Sequence, residues 1–194
     1  MPSKKPKLYL ASESPRRHAL LHQYGIPFTV IPNLLLNEVL PQRCHNIRPF
    51  LRQLATEKVM ASANGFEGVI LGVDTSVVLQ DEILGKPKDM EEAKRILQKL
   101  SGKIHGVISG FCLLDTQSGK KITRTETSQV TFNTLDKETI VWYCQTYKPL
   151  DKAGSYGIQD CPKILIKHVN GSVENVMGLP IKTLQIALRE LHAN

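Results

Sequence analysis

A chain of 194 residues, 41% hydrophobic and 22% charged, is long enough to bury a sizeable core and has an ordinary globular balance. No apolar run reaches the roughly 18–20 residues of a membrane span, and no signal-type apolar core follows the basic start, so a cytoplasmic protein is expected. The formal charge of +7 favours anionic partners, but it is dispersed. With aromatic residues at 6%, the stacking platforms of single-stranded nucleic-acid binders are poorly supported. Cys44, Cys112, Cys144 and Cys161 are widely spaced without a CxxC pair, and His18 and His22 lack a third ligand, so reduced thiols and no zinc site are expected.

Leu8-Tyr9-Leu10-Ala11 reads as a short strand, followed by a helix that Ser14 caps and Pro15 opens at its first position. Leu20, Leu21 and Tyr24 give that helix an apolar face, and Gly25 and Pro27 stop it. Phe28–Ile31 reads as a second strand, whereas residues 32–46 carry no assignable pattern. From about Pro49, Leu51, Leu54, Ala55 and Val59 form one helical stripe, with Lys58 on the same side. Val69–Val73 reads as a buried strand with Asp74 at its end. Val77–Leu79 follows, and Gln80-Asp81-Glu82 is a turn.

Asp89-Met90-Glu91-Glu92 matches a capping box that opens a helix through Ala93, Ile96, Leu97 and Leu100, ending at Gly102. Ile104–Leu114 and Lys121–Phe132 read as long strands joined through residues 115–119. A helix is expected around Asp136–Tyr147, a strand over Lys163–Val169, a turn at Asn170-Gly171, and a last helix opened by Leu179-Pro180. Strands and helices alternate without repeat or long linker. The expected class is α/β, in a single domain over residues 1–194.

Four elements carry chemistry. An ionised carboxylate at the end of a buried strand is costly unless a metal, a cation or a ligand compensates it, although Asp74 alone reads equally as a turn cap. Ser12-Glu13-Ser14-Pro15-Arg16-Arg17 places two guanidinium groups at a helix start, where unpaired N–H groups and the helix dipole favour anions. An ordinary capped helix with surface arginines has the same pattern. Lys58 either snorkels to solvent or faces a cleft as a point charge, and Lys86, between Gly85 and Pro87, projects from a loop. In Tyr156-Gly157-Ile158-Gln159, the glutamine amide both donates and accepts, which suits a base edge, while a plain glycine turn fits as well. Together they fit hydrolysis of a nucleoside triphosphate. Cations and a divalent metal neutralise the polyphosphate while a carboxylate positions or deprotonates the attacking water.

In order along nearly the whole chain, Leu10–Arg17, Leu54–Lys58, Gly72–Thr75, Gly85–Pro87, Leu100–Val107, Pro149–Gln159 and Val176–Pro180 resemble the Maf family of nucleotide pyrophosphatases, also called septum-formation proteins. The resemblance implies a mixed central sheet with flanking helices and two lobes around a cleft, similar to inosine-triphosphate pyrophosphatases, and a homodimer. It further implies a divalent metal, Mg²⁺ or Mn²⁺, with Asp74 as proton acceptor and metal ligand. Arg16, Lys58 and Lys86 would hold phosphates and Ser12 would lie in the phosphate loop. Arg16, Thr75 and Gln159 fall where specificity is read, and they resemble the branch that acts on dTTP and UTP.

Leu35, Leu36 and Asn37 stand where members carry acidic residues that help hold the metal, with Glu38 beside them as the alternative ligand. Asp160 replaces a glycine usual after the glutamine, and Gln129 stands where glutamate is frequent. The first departure motivates a second reading, a catalytically weak Maf-fold nucleotide-binding protein with a regulatory role in cell division. A basic nucleic-acid-binding module rests on net charge alone.

Overall fold

The structure is a computed structural model, and it describes residues 7–35, 41–160 and 162–193. Its frame is a mixed seven-stranded sheet in the order β2-β1-β3-β5-β6-β7, with β4 also paired to β3. The strands are β1 (Leu8–Ala11), β2 (Thr29–Ile31), β3 (Val69–Leu79), β4 (Glu82–Leu84), β5 (Ile104–Asp115), β6 (Lys121–Phe132) and β7 (Ile166–Asn170). β2, β1 and β3 run parallel, joined by helical crossovers, and the remaining pairs are antiparallel. The helices are α1 (Pro15–Gln23), α2 (Ile47–Ser62), α3 (Met90–Leu100), α4 (Lys137–Tyr147), α5 (Pro162–Leu165), α6 (Val173–Met177) and α7 (Ile181–His192). The mixed α/β class follows the sequence expectation.

Side-chain alternation along β3 divides the molecule. Val69, Leu71 and Val73 enter a core closed by Leu20 and Leu21 of α1 and by Leu184 and Leu191 of α7. Farther along the same face, Val77 and Leu79 enter a second core closed by Leu97 and Leu100 of α3 and by Ile140 and Tyr143 of α4. These two cores are the two lobes, and Thr75 lies at their junction. The opposite face of β3 is covered by α2, through Ala55 and Val59 against Ile70 and through Leu51 near Val78.

Local signals explain most element starts. Asp89 accepts a hydrogen bond from the Glu92 N–H at 2.7 Å while the Glu92 carboxylate accepts from the Lys88 N–H at 2.8 Å, a capping box shifted by one residue. α2 begins at Ile47, ahead of Pro49, because Asn46 caps it by accepting from the Arg48 N–H. Ser14 occupies the cap position of α1, yet its side chain makes no capping bond. The strand expected from Lys163 begins only at Ile166, after the helical turn α5, and α6 has no counterpart in the sequence expectation. Cys44, Cys112 and Cys144 are free thiols, as expected. Among the described residues no helix is long and apolar enough to cross a membrane.

Candidate active site

One edge of β3 pairs with β5, but the other edge is shared between two strands. β1 covers Val69 to Leu71 and β4 covers Val77 to Leu79, which leaves residues 72–76 without a strand partner on that side among the described residues. A cleft of about 620 Å³ opens at this gap, within the size range of small-molecule sites. Beside the parallel strand β1, it lies past the carboxyl end, where open α/β sheets bind ligands.

Asp74 sits in the middle of this gap. The expectation of an aspartate at a strand end is corrected here: β3 continues unbroken through Asp74, Thr75 and Ser76 to Leu79. Its Cα is paired with Gly110 of β5, so its backbone position is fixed by the ladder. The Lys58 ammonium donates to Asp74 Oδ1 at 2.6 Å, and the two side chains are only 5% and 11% exposed. Lys58 therefore does not snorkel to solvent. Asp74 Oδ2 is buried without a hydrogen-bond partner, a state that costs about 1–3 kcal/mol when nothing compensates it.

Two glycines make this pair. A Cβ on Gly72 would lie 2.5 Å from the Ala55 carbonyl oxygen, and one on Gly110 would lie 2.7 Å from the Leu51 carbonyl carbon. Both sit on the face of the sheet that α2 covers, one two residues before Asp74 and the other directly beside it. The helix backbone therefore approaches the sheet more closely than any side chain would allow, bringing Lys58 within reach of the carboxylate.

The Ser12 loop forms the neighbouring wall. Ser12 Oγ accepts from the Ser14 N–H at 3.3 Å and from Arg17 Nη1 at 2.9 Å, so its own proton is left to donate. Arg16 and Arg17 part company because successive helix positions point in different directions. Arg16 reaches Asp151, with Nη1–Oδ2 at 2.7 Å, at the mouth of the cleft. Arg17 turns inward, donating to the Gly178 carbonyl at 3.0 Å and standing 3.5 Å from Thr75 Oγ1. Thr75 Oγ1 also meets Ser109 Oγ at 2.9 Å and the Gly178 carbonyl at 3.3 Å. The threonine hydroxyl is thus engaged with the protein on three sides.

The far wall is the segment from Asp151 to Ile158, together with Lys86. Gly154, at φ 70°, packs against Val77 and donates its N–H to the Gly85 carbonyl, which docks this segment on β3 and on the Lys86 loop. Lys152 donates to Asp151 Oδ1 at 2.9 Å. Burial raises the Asp151 carboxyl, but the hydrogen bonds from Lys152 and Arg16 outweigh it and hold the group below its ordinary value. Tyr156 closes the wall from below, its hydroxyl 2.8 Å from His105 Nε2. Burial lowers the His105 pKa to about 4 and raises that of Tyr156.

The cleft brings together Ser12, Arg16, Lys58, Asp74, Thr75 and Lys86. Gln159 is exposed and stands outside the lining. Glu38, Leu36 and Asn37 lie outside the described residues. Asp151, Lys152 and Gly178 stand within the stretches that resemble the family, but sequence reasoning gave them no role in the site. The dipeptide Asp151-Lys152 before a glycine turn was the only local signal, because its partner Arg16 is 135 residues away. Five cationic side chains and three carboxylates line the cleft among the described residues, a surplus of two positive charges. Such a surface takes polyanions.

Residues 7–191 match the family described as Maf, Maf-like protein. The chain is 40% identical over 189 residues to the dTTP/UTP pyrophosphatase of Aquifex aeolicus, covering 96% of each chain. It is 40% identical to the dTTP/UTP pyrophosphatase of Alkaliphilus oremlandii, covering 94% of this chain and 95% of that one. Against the dTTP/UTP pyrophosphatase of Ruminiclostridium cellulolyticum, identity is 41%, with 95% and 96% covered. With that match running through every strand and every wall of the cleft, the chain belongs to the Maf family.

Proposed function

We propose that this chain hydrolyses nucleoside triphosphates, preferably dTTP and UTP, to the monophosphate and pyrophosphate with the help of a divalent metal ion. The observation that carries the reading is the Lys58–Asp74 pair in a cationic cleft at the open edge of β3, with Asp74 Oδ2 buried and unpartnered. The names of the relatives support the substrate class.

Lys58 fixes the carboxylate through Oδ1, which leaves Oδ2 as the atom for chemistry. An orphaned carboxylate oxygen in a polar cleft is a donor suited to a hard cation. Mg²⁺ characteristically uses one or two protein carboxylates and takes its other ligands from water and substrate phosphates. Asp74 would hold the ion, and the ion would polarise the phosphate and neutralise its charge. A triphosphate carries more negative charge than the cleft's cationic surplus offsets, and a divalent cation makes up the difference.

Ser12 donates its remaining proton to a phosphate oxygen, and Lys86 and Arg16 draw the chain of phosphates across the mouth. Water adds to the α-phosphorus as the bond to the bridging oxygen breaks; Asp74 takes the water's proton and pyrophosphate departs. Thr75 acts on base selection through the Gly178 carbonyl that it and Arg17 hold. A cytoplasmic homodimer completes the proposal.

Pyrophosphate release from dTTP, UTP, CTP, GTP and 7-methyl-GTP with Mg²⁺ or Mn²⁺ tests this function. Metal-dependent release led by dTTP and UTP is expected. Nucleotide binding without release, unchanged by metal, would overturn it in favour of a binding protein with little catalysis.

A further inference from the structure

We propose that Lys152 is an additional phosphate-binding residue of this cleft and that Asp160 is its positioning residue. The proposal rests on the nucleoside triphosphate reading above and names a contact that reading does not contain.

Lys152 stands between the 3₁₀ turns Pro149–Asp151 and Ala153–Ser155 in extended backbone. The side chain is 13% exposed and lines the cleft, so its charge is held in the wall and not on an open surface. An ammonium has three donors. One goes to Asp151 Oδ1 at 2.9 Å, while Asp160 Oδ2 at 4.0 Å lies beyond hydrogen-bond reach. Two donors remain on a cation that two carboxylates hold in place. That is the condition for gripping an incoming phosphate oxygen without ordering a flexible chain at the moment of binding.

Asp160 is anchored independently of Lys152. Its Oδ2 accepts from the Tyr143 hydroxyl at 2.7 Å, and that hydroxyl oxygen accepts from the Gly157 N–H at 2.9 Å. Tyr143 is fully buried in the core between α3 and α4, so the network ties the cleft wall to a rigid lobe. A Cβ on Gly157 would lie 2.8 Å from Asp160 Oδ2, showing how closely the carboxylate is packed beneath this wall. The residue that departs from the family pattern is therefore the one that backs the lysine.

The test is calorimetric titration of the full chain with a dTTP analogue carrying an imido bridge between the α and β phosphates, in Mg²⁺, alongside melting temperature and steady-state kinetics. K152Q should weaken analogue binding about tenfold, the loss of one charge-assisted hydrogen bond, with little change in melting temperature. K152R, which keeps the charge, should recover most of the affinity. D160A should raise KM several-fold more than it lowers kcat. D160N, whose amide oxygen still accepts from Tyr143, should fall between D160A and wild type. Affinity in K152Q within twofold of wild type would overturn the Lys152 assignment. D160A that lowers only the melting temperature would overturn the positioning role. Wild-type protein that binds no triphosphate would overturn the underlying reading as well, which separates the two failures.

Discussion

Replacing Gly110 with alanine tests whether helix spacing sets the chemistry. The new Cβ would lie 2.7 Å from the Leu51 carbonyl carbon and 2.8 Å from its oxygen and Cβ, all on or next to the backbone of α2. Carbon contacts relax at about 3.5–4.0 Å, so the helix must lift by about 1 Å over the strand. Overpacking of this kind costs about 1–3 kcal/mol, and the upper half of the range applies because backbone must move. For a chain of this size that lowers the melting temperature by about 4–12 °C. Lys58 lies two turns along the same helix, on the same face, and its bond to Asp74 is 2.6 Å long. A lift of about 1 Å removes this hydrogen bond, and misplacement of that size at a catalytic pair lowers turnover by about 10- to 100-fold.

The assay pairs thermal denaturation with kcat for pyrophosphate release from dTTP. G106A is the control: the same strand and face, but its added Cβ meets nothing closer than 3.8 Å. It should be silent or slightly stabilising, since alanine is less entropically costly in a strand than glycine. G110A with wild-type kcat, whether or not it melts earlier, would refute the claim that the glycine contact places Lys58.

Asp74→Asn should lower turnover by about 10²–10⁴-fold while the protein stays folded, because the amide cannot accept the water's proton; full activity at saturating metal would remove Asp74 from its role. Arg17→Met should cost about 2 kcal/mol and raise KM, since the guanidinium holds Ser12 and the Gly178 carbonyl together; unchanged melting and KM would count against it. His105 titrates at about 4 in the folded chain against 6.5 unfolded, so its contribution is fully present above 6.5 and is lost as pH falls toward 4. The loss amounts to about 3 kcal/mol, the product of that shift and the energy of one pKa unit. Urea unfolding of wild type and H105Q from pH 7 to 4 should therefore show a steeper decline in wild type, and parallel curves would refute it.

Regular elements were legible in the sequence wherever local chemistry dominates. The Ser14-Pro15 start, the Asp89 capping box and the long strands β5 and β6 stand where pattern and propensity put them. β3 was legible only in its two apolar halves. Thr75 and Ser76 interrupt the hydrophobic run, and a polar interruption reads as a strand end. In the structure the ladder to β5 carries the backbone straight through it. α6 has five residues, too few to signal a helix; it is held by Asn175, whose amide donates to the Val107 carbonyl and to Ser128 Oγ. Those partners are far away in sequence, so nothing local announces them.

The same distinction divides the site. Asp74 and Lys58 could be picked out because each breaks a local rule, a carboxylate in a buried strand and a lysine on an apolar stripe. Their pairing could not, because it depends on two glycines whose value appears only when α2 is laid across β3 and β5. Asp151 and Lys152 break no rule: in a surface turn, both residue types are ordinary. They become part of a site because the docking of Gly154 against Val77 turns that surface into a wall. Residues that are costly where they stand reveal themselves from sequence. Residues that are cheap where they stand, and matter only for what faces them, do not, and Asp151 and Lys152 in the far wall of this cleft are of the second kind.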